Sequence, residues 1–208
     1  MKETHKQLAP PAGRYDGYPH NGLAPDEEIT RIGPGTPAGE YLRRFWHPIA
    51  LSSMVGALPL KLPRMGGDLV LYPDKSGNLG LLHLLCCHHN ASLEFGIIES
   101  CGIRGSDHGW LFGNGGTIRE TPGEPATSQI CNRVTQGAYP VIEYKQMIFA
   151  SFGPVAAMPP FPFFDTLDLP DETMVPYLLP SPCNWVQIFE NGAAPYQVTV
   201  LHTRVSGV

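Results

Sequence analysis

Apolar and polar positions follow two different rhythms along this chain. At Thr36-Pro37-Ala38-Gly39-Glu40 a hydroxyl residue precedes a proline, with a carboxylate in the first turn, the signature of a capped helix start. Ala38, Tyr41, Leu42, Phe45 and Trp46 then repeat with helical spacing, so the pattern predicts a helix ended by His47-Pro48, with Arg43 and Arg44 on its solvated side. From residue 49 to about 153 the rhythm changes to short apolar segments separated by turn residues. Asp68 to Tyr72 and Leu79 to Leu85 flank a Pro-Asp-Lys-Ser-Gly-Asn hairpin signal, and further strands are expected at Leu93 to Ile98, Trp110 to Phe112, Tyr139 to Tyr144 and Met147 to Phe152. The expectation is a mainly β fold: a three-sheet antiparallel domain.

The flanks are different. Residues 1–24 show no period and are read as a flexible arm, while Asp26-Glu27-Glu28 should cap a short helix. Proline-dense sequence from Met158 to Cys183 reads as an extended connector; beyond it, Trp185, Ile188 and Phe189 suit an amphipathic helical turn, with a second helix expected from Pro195 to His202. Trp46, Trp110 and Trp185 are expected in packing roles.

Composition narrows the function. Of 208 residues, 14 are Lys or Arg and 19 Asp or Glu, a net charge of −5 that argues against nucleic-acid or anionic-membrane partners. No stretch is apolar enough for an anchor, which points to a cytoplasmic protein. Five cysteines without regular spacing suit thiols or metal ligands better than a disulfide framework.

The metal-competent side chains are concentrated. His83, Cys86, Cys87, His88 and His89 lie together, followed by Cys101 and by His108 in Asp107-His108-Gly109-Trp110. A thiol and an imidazole two residues apart on one loop, closed by a second loop some twenty residues on, is an arrangement that can face one metal site.

The stretches TRIGPGTPAGEYLRRFWHPIA, LGLLHLLCCHHNASLEFG, HGWLFGNGGTIRETPGEP, GAYPVIEYKQMIFASFGP and PCNWVQIFENGAAPYQVTVLHTRVSG, in that order, resemble the Rieske non-haem iron oxygenases, in particular the phthalate dioxygenase-like large subunits. The resemblance implies an iron-sulfur-protein-like Rieske domain over residues 25–165, holding a 2Fe-2S cluster on two Cys and two His. Residues 166–208 would be a linker and the first segments of an α+β helix-grip catalytic domain with a mononuclear Fe(II) site of two His and a carboxylate. It further implies electron supply from a flavin/iron-sulfur reductase, a homotrimer, and a small aromatic substrate that is hydroxylated or demethylated with O2.

Carried over by position, the resemblance assigns Cys86, His88 and His108 to the cluster and His202 to the mononuclear iron. It also exposes gaps. Gly105 stands where the second cysteine belongs, Ala194 where a bridging aspartate belongs, and Gln197 where the first histidine of the mononuclear site belongs. Ser106, Asp107, Cys87 and Cys101 are the nearby candidates to fill the place of the missing thiolate, and His89, where the family often has Arg, is read as exposed and inert. The chain as it stands is therefore read as inactive. The alternatives are a non-catalytic Rieske-fold assembly or binding module, or a structural zinc site on Cys86, His88 and His108 with Cys101 or Asp107.

Overall fold

The structure, a computed structural model, describes residues 11–13, 24–125 and 127–195. The N-terminal arm thus falls mostly outside the described residues, as do Gln197, His202 and the helix expected up to it.

Among the described residues, ten strands and four helices follow in order: α1 (Glu27–Thr30), α2 (Pro37–Leu42), β1 (Trp46–Leu51), β2 (Leu60–Arg64), β3 (Gly67–Pro73), β4 (Leu79–His83), β5 (Ile97–Glu99), β6 (Gly102–Arg104), β7 (Leu111–Phe112), β8 (Ile118–Glu120), α3 (Ile130–Arg133), β9 (Val141–Tyr144), β10 (Met147–Ser151) and α4 (Trp185–Ala193). They form three antiparallel sheets, ordered β1-β10-β9, β2-β3-β4 and β5-β6-β7-β8. The three-sheet expectation holds.

The middle sheet separates two cores. Leu69 and Leu71 of β3 pack with Ile49, Ile148 and Phe152 on one side, while Val70 and Tyr72 pack with Ile103, Trp110 and Phe112 on the other. Because successive side chains of a strand point to opposite faces, a strand buried on both faces reads as an unbroken apolar run. That is why residues 69–72 lack alternation.

Several elements depart from the sequence expectation. Thr36 caps α2 by accepting from the Gly39 amide, as expected, but the helix ends at Leu42. Trp46–Leu51 is instead an edge strand, pairing Trp46 with Ser151 and Pro48 with Phe149, with an irregularity after Pro48. Proline lacks the amide that a central strand needs, and an edge tolerates it. Arg43 is buried, not solvated, with its guanidinium donating to the Met65 carbonyl.

The predicted strand at Leu93 to Ile98 is a 3-10 turn at Leu93–Phe95 followed by β5. Strands β2, β6 and β8 lie outside the segments that the apolar pattern predicts. The β2–β3 connection turns through Met65 and Gly66, both at positive φ (51° and 74°), a two-residue turn without the Asn-Gly signal that announces one.

Asp26 caps α1 as expected, accepting from the Glu28 amide. Of the tryptophans only Trp110 is fully in the core. Trp46 sits edge-on to Phe161 and donates to Pro159, and Trp185 donates from Nε1 to the Ile29 carbonyl at 3.0 Å. Among the described residues, no helix is long and apolar enough to cross a membrane.

Candidate metal centre

Two loops project from neighbouring hairpins and are built alike. In the first, residues 86–90, the Cys86 amide donates to the Ala91 carbonyl and the Asn90 amide to the Cys86 carbonyl, both at 2.9 Å. In the second, residues 105–109, the Gly105 amide donates to the Trp110 carbonyl at 2.9 Å and the Gly109 amide to the Gly105 carbonyl at 3.2 Å. Each loop closes with its fifth residue in the left-handed region, Asn90 at φ 60° and Gly109 at φ 72°, a conformation glycine and asparagine adopt most readily. Cys86 and Gly105 are therefore equivalent positions, as are His89 and His108.

The frame around the loops is polar and tight. Gln136 is buried and reaches the first loop from beneath: its Oε1 accepts from the Cys87 amide at 2.8 Å, and its Nε2 donates to His83 and Leu85 carbonyls at 2.9 and 3.0 Å. On the other loop, Arg104 donates to the Gly109 carbonyl at 2.7 Å while pairing with Glu99 at 2.6 Å and Glu120 at 2.7 Å. The hydrogen bond from Arg104 holds the Glu99 carboxyl below the usual carboxylate range.

The loop tips meet, as the sequence implied. His88 lies 4.7 Å from His108 between ring centroids, and stacks on Trp110 at 4.1 Å. His89, read from sequence as inert, completes a trio: its ring is 4.2 Å from His88 and 4.9 Å from His108. One ligand atom from each of the three lies within 4.8 Å of the others. No sequence spacing signalled this, because His89 and His108 become neighbours only when both loops adopt the same turn.

The His88 ring is held below its ordinary pKa by burial and by the adjoining His89 and His108. Its Nδ1 is buried with no partner. Asp107 Oδ2 sits 3.0 Å from His108 Nδ1.

The thiols are placed elsewhere. Cys86 is 5% exposed and belongs to the core with Leu84, Leu93 and Trp110. Among the described residues it does not join the imidazole group. Cys87 lines a cleft of about 890 Å³ with Lys61, Asp68, His83 and Gln136, and burial, then the neighbouring Cys86, pushes its thiol pKa up. Cys101 precedes β6 and Gly105 follows it, so the extended strand puts about 13 Å between them. Neither thiol is placed to replace a ligand at position 105.

A 2Fe-2S cluster with two thiolates and two imidazoles does not fit this donor set. Gly105 has no ligand atom, yet its place is vacant in shape: a Cβ there would meet Leu93, Phe112 and the Trp110 carbonyl at 3.7–3.8 Å, ordinary contact.

Comparison with known proteins agrees with the fold. Residues 45–140 match the Rieske [2Fe-2S] domain. The chain is 42% identical over 197 residues to the tert-butanol monooxygenase / tert-amyl alcohol desaturase oxygenase subunit of Aquincola tertiaricarbonis, covering 92% of this chain and 42% of that one. It is 38% identical to the phenoxybenzoate dioxygenase subunit alpha of Ectopseudomonas oleovorans, covering 92% and 50%, and 31% identical to the phthalate 4,5-dioxygenase oxygenase subunit of Pseudomonas putida, covering 87% and 42%. The crystal structure of dicamba monooxygenase bound to dicamba superimposes with a TM-score of 0.56 at 25% identity, over 62% of this chain and 41% of that one. The chain spans at most about half the length of these relatives.

Proposed function

Because the chain belongs to the Rieske oxygenase large subunits of the phthalate dioxygenase-like branch, whose cofactors are a 2Fe-2S cluster and a mononuclear iron, we propose that it is the Rieske-domain portion of such a subunit, retained as a folded module without electron relay. In that reading residues 25–165 form the β domain and 166–208 lead into the catalytic domain. A whole subunit of this kind would take electrons from a flavin/iron-sulfur reductase, work as a homotrimer, and hydroxylate or demethylate a small aromatic compound with O2.

One observation carries the reading: Gly105 occupies the loop position equivalent to Cys86, where the second thiolate would be needed, and neither Cys87 nor Cys101 is placed to stand in. A buried cationic centre short of one thiolate lacks both a bond and its charge compensation. Loss of the aspartate at Ala194 and the histidine at Gln197 points the same way for the mononuclear site. Assembly remains open to the module, because large apolar side chains at Tyr177 (76% exposed), Leu179 (75%) and Phe189 (67%) await cover.

The test is iron and acid-labile sulfide in the chain after anaerobic reconstitution. The reading expects a colourless, cooperatively folded protein with sulfide near zero. Iron and sulfide each at about two per chain would overturn it.

A further inference from the structure

We propose that His88, His89 and His108 together bind one divalent transition-metal ion, with zinc the best match, and so staple the two loop tips. The proposal rests on the reading above, since a cluster would occupy His88 and His108.

The geometry is close to that of a bound state. A tetrahedral zinc with nitrogen ligands at about 2.0–2.1 Å sets those nitrogens about 3.4 Å apart. The three ligand atoms here already lie within 4.8 Å of one another. His89 and His108 are exposed, so their side chains have room to change rotamer and draw the ligand atoms together. Because the loops share one turn geometry, His89 and His108 occupy equivalent positions in the two loops.

Two further observations point to a ligand. The buried Nδ1 of His88 has no hydrogen-bond partner, which is costly in a folded protein unless something satisfies it. Asp107, 3.0 Å from the His108 ring, provides the carboxylate that commonly orients a metal-bound imidazole. An all-imidazole set favours zinc, copper or nickel over calcium or magnesium, and three ligands leave a fourth position for water. No thiol takes part, which separates this site from a Cys/His zinc knuckle: Cys86 is packed in the core.

The experiment uses the full chain without affinity-tag histidines, stripped with chelator and titrated with Co2+ and Zn2+ by calorimetry and absorption spectroscopy. The expected result is one ion per chain, a cobalt spectrum without a thiolate charge-transfer band, and a zinc-dependent rise in Tm. His89→Ala should weaken binding by about a hundredfold and Asp107→Asn by about tenfold, with unchanged circular dichroism. Absence of binding, a thiolate band, or affinity indifferent to His89→Ala overturns the proposal. Sulfide measured in the same sample keeps the two readings apart: a sulfide-free chain that ignores Co2+ defeats the three-imidazole site alone, whereas stoichiometric sulfide defeats the loss of the cluster.

Discussion

The His88 imidazole lies flat against the Trp110 indole, with ring centroids 4.1 Å apart and planes 11° from parallel. One loop's chemistry is thus fixed by the other loop's core residue. Trp110 is 2% exposed and anchors the second loop through its carbonyl on the Gly105 amide.

Trp110→Ala should destabilise the fold by about 3–5 kcal/mol, the usual penalty for emptying a large aromatic site. It should also return the His88 pKa upward, because burial is the first cause of its depression. Urea unfolding and an NMR titration of the histidine ring protons measure the two effects. An unmoved His88 would show that the stack does not shield it.

Gly105→Cys should be tolerated within about 1 kcal/mol, since the added Cβ meets neighbours at ordinary contact distance. Reconstituted anaerobically, this variant should gain brown colour and acid-labile sulfide relative to the parent. A variant that stays colourless would mean the second loop has been matched to the family pattern in the wrong register.

Gln136→Ala should cost about 2–4 kcal/mol. It removes three hydrogen bonds beneath the first loop and leaves the Cys87 amide without its acceptor. Chemical denaturation measures the loss, and hydrogen exchange should quicken at the Cys87 amide before it does so in β3.

Asp74 organises the β3–β4 turn. Burial alone would raise its carboxyl pKa, but hydrogen bonds from the Asn78 amide, the Asn114 and Asn78 side chains and the Ser76 amide outweigh it and hold the group below the ordinary range. A pKa lower in the folded than in the unfolded chain stabilises the protein above the unfolded value, about 3.9, and that stabilisation fades as pH falls through the folded value. Asp74→Ala should therefore cost about 1–3 kcal/mol at pH 7 and progressively less under strong acid, as followed by denaturation across pH 2–7.

Much of this architecture is written in local sequence. The Thr36 and Asp26 caps and the hairpin at residues 73–78 depend on neighbours a few residues apart. The gap at Gly105 is legible too, through the resemblance, which sets a cysteine three residues before His108. What local pattern misread was whatever a distant strand decides. The stripe running to Trp46 looks helical, yet pairing with β10 makes its last part an edge strand. Arg43, charged and apparently solvated, is drawn inward by the carbonyl of Met65, 22 residues away.

The sequence by itself determined the family, the β class and the two loops that carry the chemistry, because cap, turn and ligand spacings are properties of short segments. Only the tertiary structure decided which side chains share the loop tips. Cys86 turns into the core, Cys87 into a side cleft, Cys101 lies a strand's length from Gly105, and His89 joins His88 and His108. The physical reason is that convergence of two hairpins is set by their packing on a common core, and no periodicity within either loop encodes the distance to the other.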